Sequence, residues 1–246
     1  MSDSALAVFG DIHSNLEALE AVLADMDGLG IQHRVCLGDI VGYAANPAKC
    51  LKLVRSLGCP VLQGNHDAFA ANDDAAGDMR DVARIGIEFA RQKLSPEERE
   101  YLAGLPLTTA DGDCQFVHAS LHRPEDWIYL VSPETLQEHF KAQAQRICFS
   151  GHTHVPCVWH FSSNSELSPL GGQGHIELPT DGKILINAGS VGQPRDLCRD
   201  ACYAVYAQRR GCVDFRRVAY DVGKTKRGIL RAKLPAFAAQ RLSLGR

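Results

Sequence analysis

Apolar residues along the chain follow a helix-strand alternation in the first hundred positions and a strand-dominated pattern afterwards. Leu6-Ala7-Val8-Phe9 is a short unbroken apolar run closed by Gly10, as expected of a buried strand. Leu16, Leu19, Leu23 and Met26 then recur at three- and four-residue spacing, predicting a helix that Gly28 and Gly30 end. Ser14-Asn15-Leu16-Glu17 has the form of a capping box at its start. The unit repeats. Positions 34–37 read as a strand, Asn46-Pro47 opens a helix that Gly58 closes, and 60–62 read as a third strand. Further helices are predicted over 79–93, through Met79, Val82, Ile85, Gly86 and Phe89, and from the Ser95-Pro96-Glu97-Glu98 cap.

Beyond position 113 the period shortens. Segments 114–117, 147–149, 157–161, 184–186 and 201–205 read as strands separated by turn-rich loops, with one helix starting at Ser132-Pro133. The pattern calls for a second, mixed sheet packed on the first. Positions 162–175, rich in Ser, Asn and Gly, read as a mobile loop beside His154. Positions 222–246 carry seven Lys or Arg and no acid, and read as a solvated terminal helix.

Composition narrows the class. With 45% apolar residues, the 246-residue chain can fill the core of one large α/β domain, and we take 1–246 as that single domain. A formal charge of −3 disfavours an extended nucleic-acid footprint. Nine cysteines, an odd number mostly inside apolar segments, suit buried thiols in a reducing cytoplasm, and the Cys198-Cys202 spacing matches no common metal or redox signature. No 18-residue apolar run or signal-peptide pattern occurs, so no membrane partner is expected.

Four short segments carry the chemistry: Asp11-x-His13, Gly38-Asp39, Gly64-Asn65-His66-Asp67 and Gly151-His152-Thr153-His154. The first three each follow a predicted strand of the opening half, where open α/β sheets place their ligand sites. In extended backbone, residues at i and i+2 leave the same side, so Asp11 and His13 can share one ion and His152 and His154 can serve two adjacent ones. Asp39 is suited to bridge two ions roughly 3.5 to 4 Å apart, and Asn65 offers an amide oxygen. This donor set suits two divalent ions: manganese first, with iron, zinc, nickel, cobalt or magnesium as alternatives. Singly, each segment is an ordinary turn or cap; as an ordered set they point to a two-metal phosphoester hydrolase.

These motifs resemble the calcineurin-like metallophosphoesterase superfamily, whose pattern adds a His between the third and last blocks. The resemblance implies a four-layer α/β/β/α sandwich of two mixed sheets. By motif position it implies that Asp11, His13, Asp39 and His154 hold one metal and Asp39, Asn65, His118 and His152 the other. His118, in Phe116-Val117-His118-Ala119-Ser120, is preferred over His122, which lies in a Pro-containing loop. Positions 186–196 resemble the small bacterial and archaeal phosphodiesterase branch. The family pattern further implies in-line attack by a metal-bridging hydroxide, with His66, as imidazolium, assisting the leaving group and Asp67 orienting it, while a helix N-terminal acid is the equal alternative for Asp67.

Substrate class rests on an absence. Protein phosphatases and symmetrical dinucleoside tetraphosphatases of the superfamily carry an Arg shortly after the bridging Asp, where this chain has Tyr43. Fewer dedicated cations favour a phosphodiester over a doubly charged monoester. Arg195, Arg123 and Asn65 are the candidate substrate contacts, with Asp196 and Asp126 as rival partners for the two arginines. The expected substrate is a small or nucleotide-derived phosphodiester. A phosphomonoesterase, a dinucleoside polyphosphate hydrolase and a non-catalytic scaffold of this fold are the alternatives. The hairpin over 201–220 and the terminal helix are the surfaces on which a homodimer would form.

Overall fold

Two mixed sheets carry the strands, and helices cover their outer faces, in a computed structural model that describes residues 5–72 and 81–246. The first half runs β1 (Ala5–Phe9), α1 (Leu16–Gly28), β2 (His33–Cys36), α2 (Pro47–Ser56), α3 (Asn65–Ala71), α4 (Asp81–Lys93) and α5 (Pro96–Ala103). Then come β3 (Thr108–Asp111), β4 (Cys114–Val117), α6 (Pro133–Ala142), β5 (Ile147–Ser150), β6 (Cys157–Phe161), β7 (Leu167–Gly171), β8 (Gly174–Glu177) and β9 (Lys183–Asn187). The chain closes with β10 (Ala201–Ala207), β11 (Cys212–Val218), α7 (Val222–Arg231) and α8 (Ala236–Leu242).

The five-stranded sheet has the order β2-β1-β10-β11-β8 and the six-stranded sheet β3-β4-β5-β9-β6-β7. Each contains a parallel core, β1 with β2 in one and β4, β5 and β9 in the other. Alternation along β1 shows how the layers form. Leu6 and Val8 face the second sheet and join Leu37, Phe116, Phe149, Ile186 and Tyr206, while Ala7 and Phe9 face Leu19, Val22 and Met26 of α1. Leu136 and Phe140 of α6 cover the far side of the second sheet with Cys148 and Leu185. Each fully buried aliphatic or Phe side chain contributes about 1.5–3 kcal/mol.

Several local expectations need correction. The cap of α1 is Asn15, whose side-chain oxygen accepts from Ala18 N at 3.2 Å; Ser14 lies before it in left-handed backbone at φ 58°. Positions 60–62 form a single bridge, Cys36 to Val61, because the chain turns into α3 three residues later. Positions 162–175 supply β7 and the start of β8, which pair with β6 and β11. The basic tail is two helices, divided at Leu234-Pro235. The 201–220 hairpin lies inside the first sheet, β10 pairing with β1 and β11 with β8. The predicted helix start at Met79 lies outside the described residues; from Asp81 the helix is present.

Candidate metal centre

The parallel strands of both sheets end at one place. The chain leaves β1 into Asp11 and His13, β2 into Asp39, β4 into His118, β5 into His152 and His154, and β9 into the 188–195 loop. Asn65 opens α3 beside them. Asp11, His13, Asp39, His118, His152 and His154 are all 95% or more buried. Their donor atoms form two groups, Asp11 with His13, Asp39 and His154, and Asp39 with His118 and His152, each within 4.8 Å. Asp39 is the shared carboxylate.

The backbone is bent to do this. Asp11, His13, Asp39, Tyr43, His152 and His154 all adopt left-handed φ, between 50° and 66°. Such non-glycine conformations cost on the order of 1–3 kcal/mol each and persist where surroundings enforce them. Here Ile12 N and His13 N both donate to Asp39 O at 2.9 Å, His152 N donates to Asp11 Oδ2 at 2.9 Å, and His66 N donates to Asp39 Oδ1 at 2.8 Å. Gly64 permits the last approach: a Cβ there would stand 2.1 Å from Asp39 Oδ1.

Three of the four imidazole donors, His13, His118 and His154, are oriented through their second nitrogen. Nδ1 of His13 donates to Val41 O (3.2 Å), of His118 to Leu37 O (2.9 Å) and of His154 to Gln193 O (2.6 Å). That leaves Nε2 as the inward-facing lone pair. The Nε2 atoms of His13 and His154 then face each other at 3.1 Å with Asp11 Oδ1 3.3 Å from the latter, three acceptors with no proton among them if both rings are neutral. Asp11 Oδ1, Asn65 Oδ1, His118 Nε2 and His152 Nε2 are buried without a hydrogen-bond partner among the described residues. Buried orphan acceptors converging on shared points are the signature of a cation site, and the donor set fits divalent ions.

Protonation follows the same logic. Burial, with neighbouring imidazoles, holds His13 well below the usual histidine range and His152 at about 3. Burial alone would raise Asp39, but His118, His66 and His13 outweigh it and keep the carboxylate ionised. Burial would likewise lower His118, yet Asp39 and Asp11 raise it to about 9, so a cation entering there displaces a proton.

A family model for the calcineurin-like phosphoesterase superfamily domain matches residues 5–210. The chain belongs to that superfamily. It is 38% identical over 250 residues to an uncharacterized protein of Methanocaldococcus jannaschii, spanning all of both chains. Its fold is similar to that of a metallophosphoesterase from Sphaerobacter thermophilus, at 33% identity and TM-score 0.84, with 98% of this chain and 99% of that one covered. A hypothetical protein from Pyrococcus horikoshii shares the fold at 21% identity and TM-score 0.82, covering 98% of each chain.

In this metallophosphoesterase His66 packs edge-on against His13 at 4.6 Å and tilted against Tyr43 at 4.8 Å, with Nδ1 buried and unbonded. Burial lowers it to about 4, with Asp39 opposing and the surrounding His and Arg195 charges adding to the effect, a balance that favours the neutral imidazole. Asp67 does not orient it. Its carboxylate accepts from Ile40 N (2.9 Å), Val41 N (3.2 Å) and Gly64 N (3.2 Å), tying the Asp39 loop to the Asn65 helix.

Of the two arginines, Arg195 reaches the site. Its backbone N donates to His154 O at 3.2 Å, its side chain donates to Gln193 Oε1 at 3.1 Å beside the Gln193 O that holds the His154 ring, and Asp196 pairs with Arg217 instead. Arg123 is turned to Asp126, and its side chain is 64% exposed. His122 lies outside both donor groups.

Residues missed in the sequence complete the surroundings. Asn187 Nδ2 donates to Gly151 O at 2.5 Å and Ser190 Oγ to Asp11 O at 2.9 Å, within the stretch whose resemblance was the available signal. Trp127 packs edge-on to His118, and Tyr129 lies over His152. A third cluster, His175, Glu177 and Cys212, lies on the outer strands, where His175 already bonds Asp214 at 2.8 Å and Glu177 at 2.9 Å. It reads as a cross-strand ion network. Among the described residues no helix is long and apolar enough to cross a membrane.

Proposed function

We propose that this chain, as one domain, is a dinuclear, manganese-dependent phosphodiesterase of the cytoplasm, acting on a small or nucleotide-derived diester. The observation that carries the reading is the pair of donor groups sharing Asp39, with unbonded acceptors aimed inward. Asp11, His13 and His154 would hold one ion with Asp39, and Asn65, His118 and His152 the other. Ions bound there supply Lewis acidity to the phosphoryl oxygens and activate water at neutral pH. His66 stands at the edge of the first group and assists the departing oxygen as a neutral N–H donor. Asp67 is a positioning residue. Arg195 would meet a phosphoryl oxygen, and a single such cation, with Tyr43 where an arginine would otherwise stand, matches a diester monoanion better than a monoester dianion. The free state of the nine thiols suits a reducing compartment.

The test is hydrolysis by metal-stripped, Mn-reconstituted protein of a chromogenic phosphodiester, the corresponding monoester and diadenosine tetraphosphate. Diester turnover should exceed the others and require about two ions per chain. His66→Ala should lower kcat by about 10²–10⁴-fold, and Asp39→Asn should lose bound metal as well as activity. Preference for the monoester or tetraphosphate would replace the substrate assignment with the phosphatase or polyphosphate reading, to which Arg195 would then be central. Full metal loading with no turnover of any ester would leave a scaffold.

A further inference from the structure

The 123–131 loop crosses above the second donor group and brings two aromatic rings to it. Its course is set by a tight turn: Arg123 and Trp127, at φ 51° and 53°, flank a 3₁₀ turn over Pro124–Asp126. Asp126 N donates to Arg123 O at 3.0 Å, and the Arg123–Asp126 ion pair closes the turn from outside. Further on, Leu130 is buried against Val117, Leu136 and Phe140 and anchors the loop to α6 and the second sheet. Between these two fixed points the chain presents Trp127 and Tyr129.

Trp127 meets His118 edge-on at 5.9 Å between centroids. Tyr129 lies over His152 at 3.9 Å, the rings inclined by 34°, so one face of the phenol covers the histidine. Yet Tyr129 is 47% exposed. A large aromatic residue held by neighbours on one face and open to solvent at the mouth of a buried polar site is a stacking surface for a planar group. The opposite side of the centre differs. There Tyr43 is taken up by His13 and His66, at 4.8 Å from each, and by the Arg241 guanidinium of α8, 5.9 Å from its centroid.

We propose that Tyr129, with Trp127 beside it, stacks on the nucleobase of the substrate, and that the nucleoside is the group retained on phosphorus. The proposal rests on the phosphodiesterase reading and deepens it. In-line displacement puts the leaving oxygen opposite the attacking one. His66, beside His13, marks the leaving-group side; the ester oxygen retained on phosphorus stands to the side of the line between attacking and leaving oxygens, where Tyr129, over His152, can meet the nucleoside it carries. In the step itself a water oxygen bonds to phosphorus, the P–O bond to the leaving group breaks, and a water proton ends on the departing oxygen. The products are a nucleoside monophosphate and an alcohol.

Two measurements test this. The first holds the leaving group constant as 4-nitrophenolate and compares the thymidine 5′-ester with the methyl ester. The native protein should prefer the thymidine ester by about tenfold in kcat/KM, mainly through KM. Tyr129→Ala should collapse that ratio and Tyr129→Phe preserve it; reading a ratio separates stacking from any general effect on the neighbouring His152. A native ratio near one, or a ratio unchanged in Tyr129→Ala, overturns the proposal. The second measurement needs no turnover: calorimetric binding of adenosine 5′-monophosphate against ribose 5-phosphate. The nucleotide should bind about tenfold tighter, an advantage lost in Tyr129→Ala. If no ester is hydrolysed while this difference is present, the phosphodiesterase reading fails and the stacking surface stands. Equal binding of the two phosphates overturns the stacking surface.

Discussion

The floor of this site and its rim are held together by different physics. In the floor, Asp11, His13, Asp39, His118, His152 and His154 sit at the ends of parallel strands, are almost wholly buried, and have their second polar atoms tied largely to backbone. The rim is made of Tyr43, Trp127, Tyr129 and Arg195, half-buried or exposed side chains on loops, packed on the floor through ring faces and charge rather than a hydrogen-bond lattice. The difference teaches where tolerance should lie. A floor fixed by backbone geometry fails all at once, whereas a rim built from individual side chains can change substrate preference while the metal centre stays intact.

The sharpest way to break that comparison is through a residue with no functional group. Gly64 has an ordinary φ of −96°, so alanine strains no backbone there, but its Cβ would lie 2.1 Å from Asp39 Oδ1 and 2.4 Å from Asp39 N. Gly64→Ala should therefore displace the shared carboxylate and cost about 10- to 100-fold in metal affinity, read by competition against a chromophoric chelator. Unchanged affinity would mean that the floor is compliant after all.

That the floor was legible in sequence and the rim was not follows from the same contrast. Every donor but His118, which the family resemblance supplied, belongs to a two- to four-residue motif, and most of those motifs follow a strand, a local relation that apolar runs reveal; the i,i+2 pairs do converge, but from left-handed rather than extended backbone. Tyr129 meets His152 only because β4 pairs with β5 in the second sheet, with Phe116 opposite Phe149. No local pattern encodes that. Asp67 is a mixed case: its bond from Gly64 N is the local one a helix N-terminal acid makes, but its bonds from Ile40 and Val41 come from 27 and 26 residues away. The 162–175 segment shows the limit of composition, since Gly, Ser and Asn reported its turns but not that the short strands between them pair with two different sheets.

Arg195 sharpens the comparison from the rim side. Its backbone N donates to His154 O at 3.2 Å, but its guanidinium touches no metal donor, meeting Gln193 instead. Arg195→Ala should leave metal content at the native level while raising KM for a diester about tenfold, the worth of one charge-assisted hydrogen bond. Arg195→Lys should recover only part of it, because an ammonium lacks the planar fork. Loss of metal in either variant would move Arg195 from rim to floor.

The smallest effect is expected where the rim loop meets its support. His139 of α6 is fully buried, and its Nδ1 accepts from Leu121 N at 3.1 Å, just before the aromatic loop. Burial, with a lesser contribution from Lys183, lowers its pKa from 6.5 to about 3. Between those values the unfolded chain binds a proton that the folded chain refuses. The stability associated with neutral His139 is thus complete above pH 6.5 and is lost progressively as pH falls through that window towards about 3. His139→Asn keeps an acceptor near the same place and does not titrate. Urea midpoints at pH 7 and pH 4.5 should therefore show an acid-induced fall that is smaller in the variant, by on the order of 1 kcal/mol. None of the metal donors belongs to α6, which reaches them only through the second sheet, so metal affinity at pH 7 should be the same in both proteins; a parallel loss of metal would show that the support of the rim is also a support of the floor.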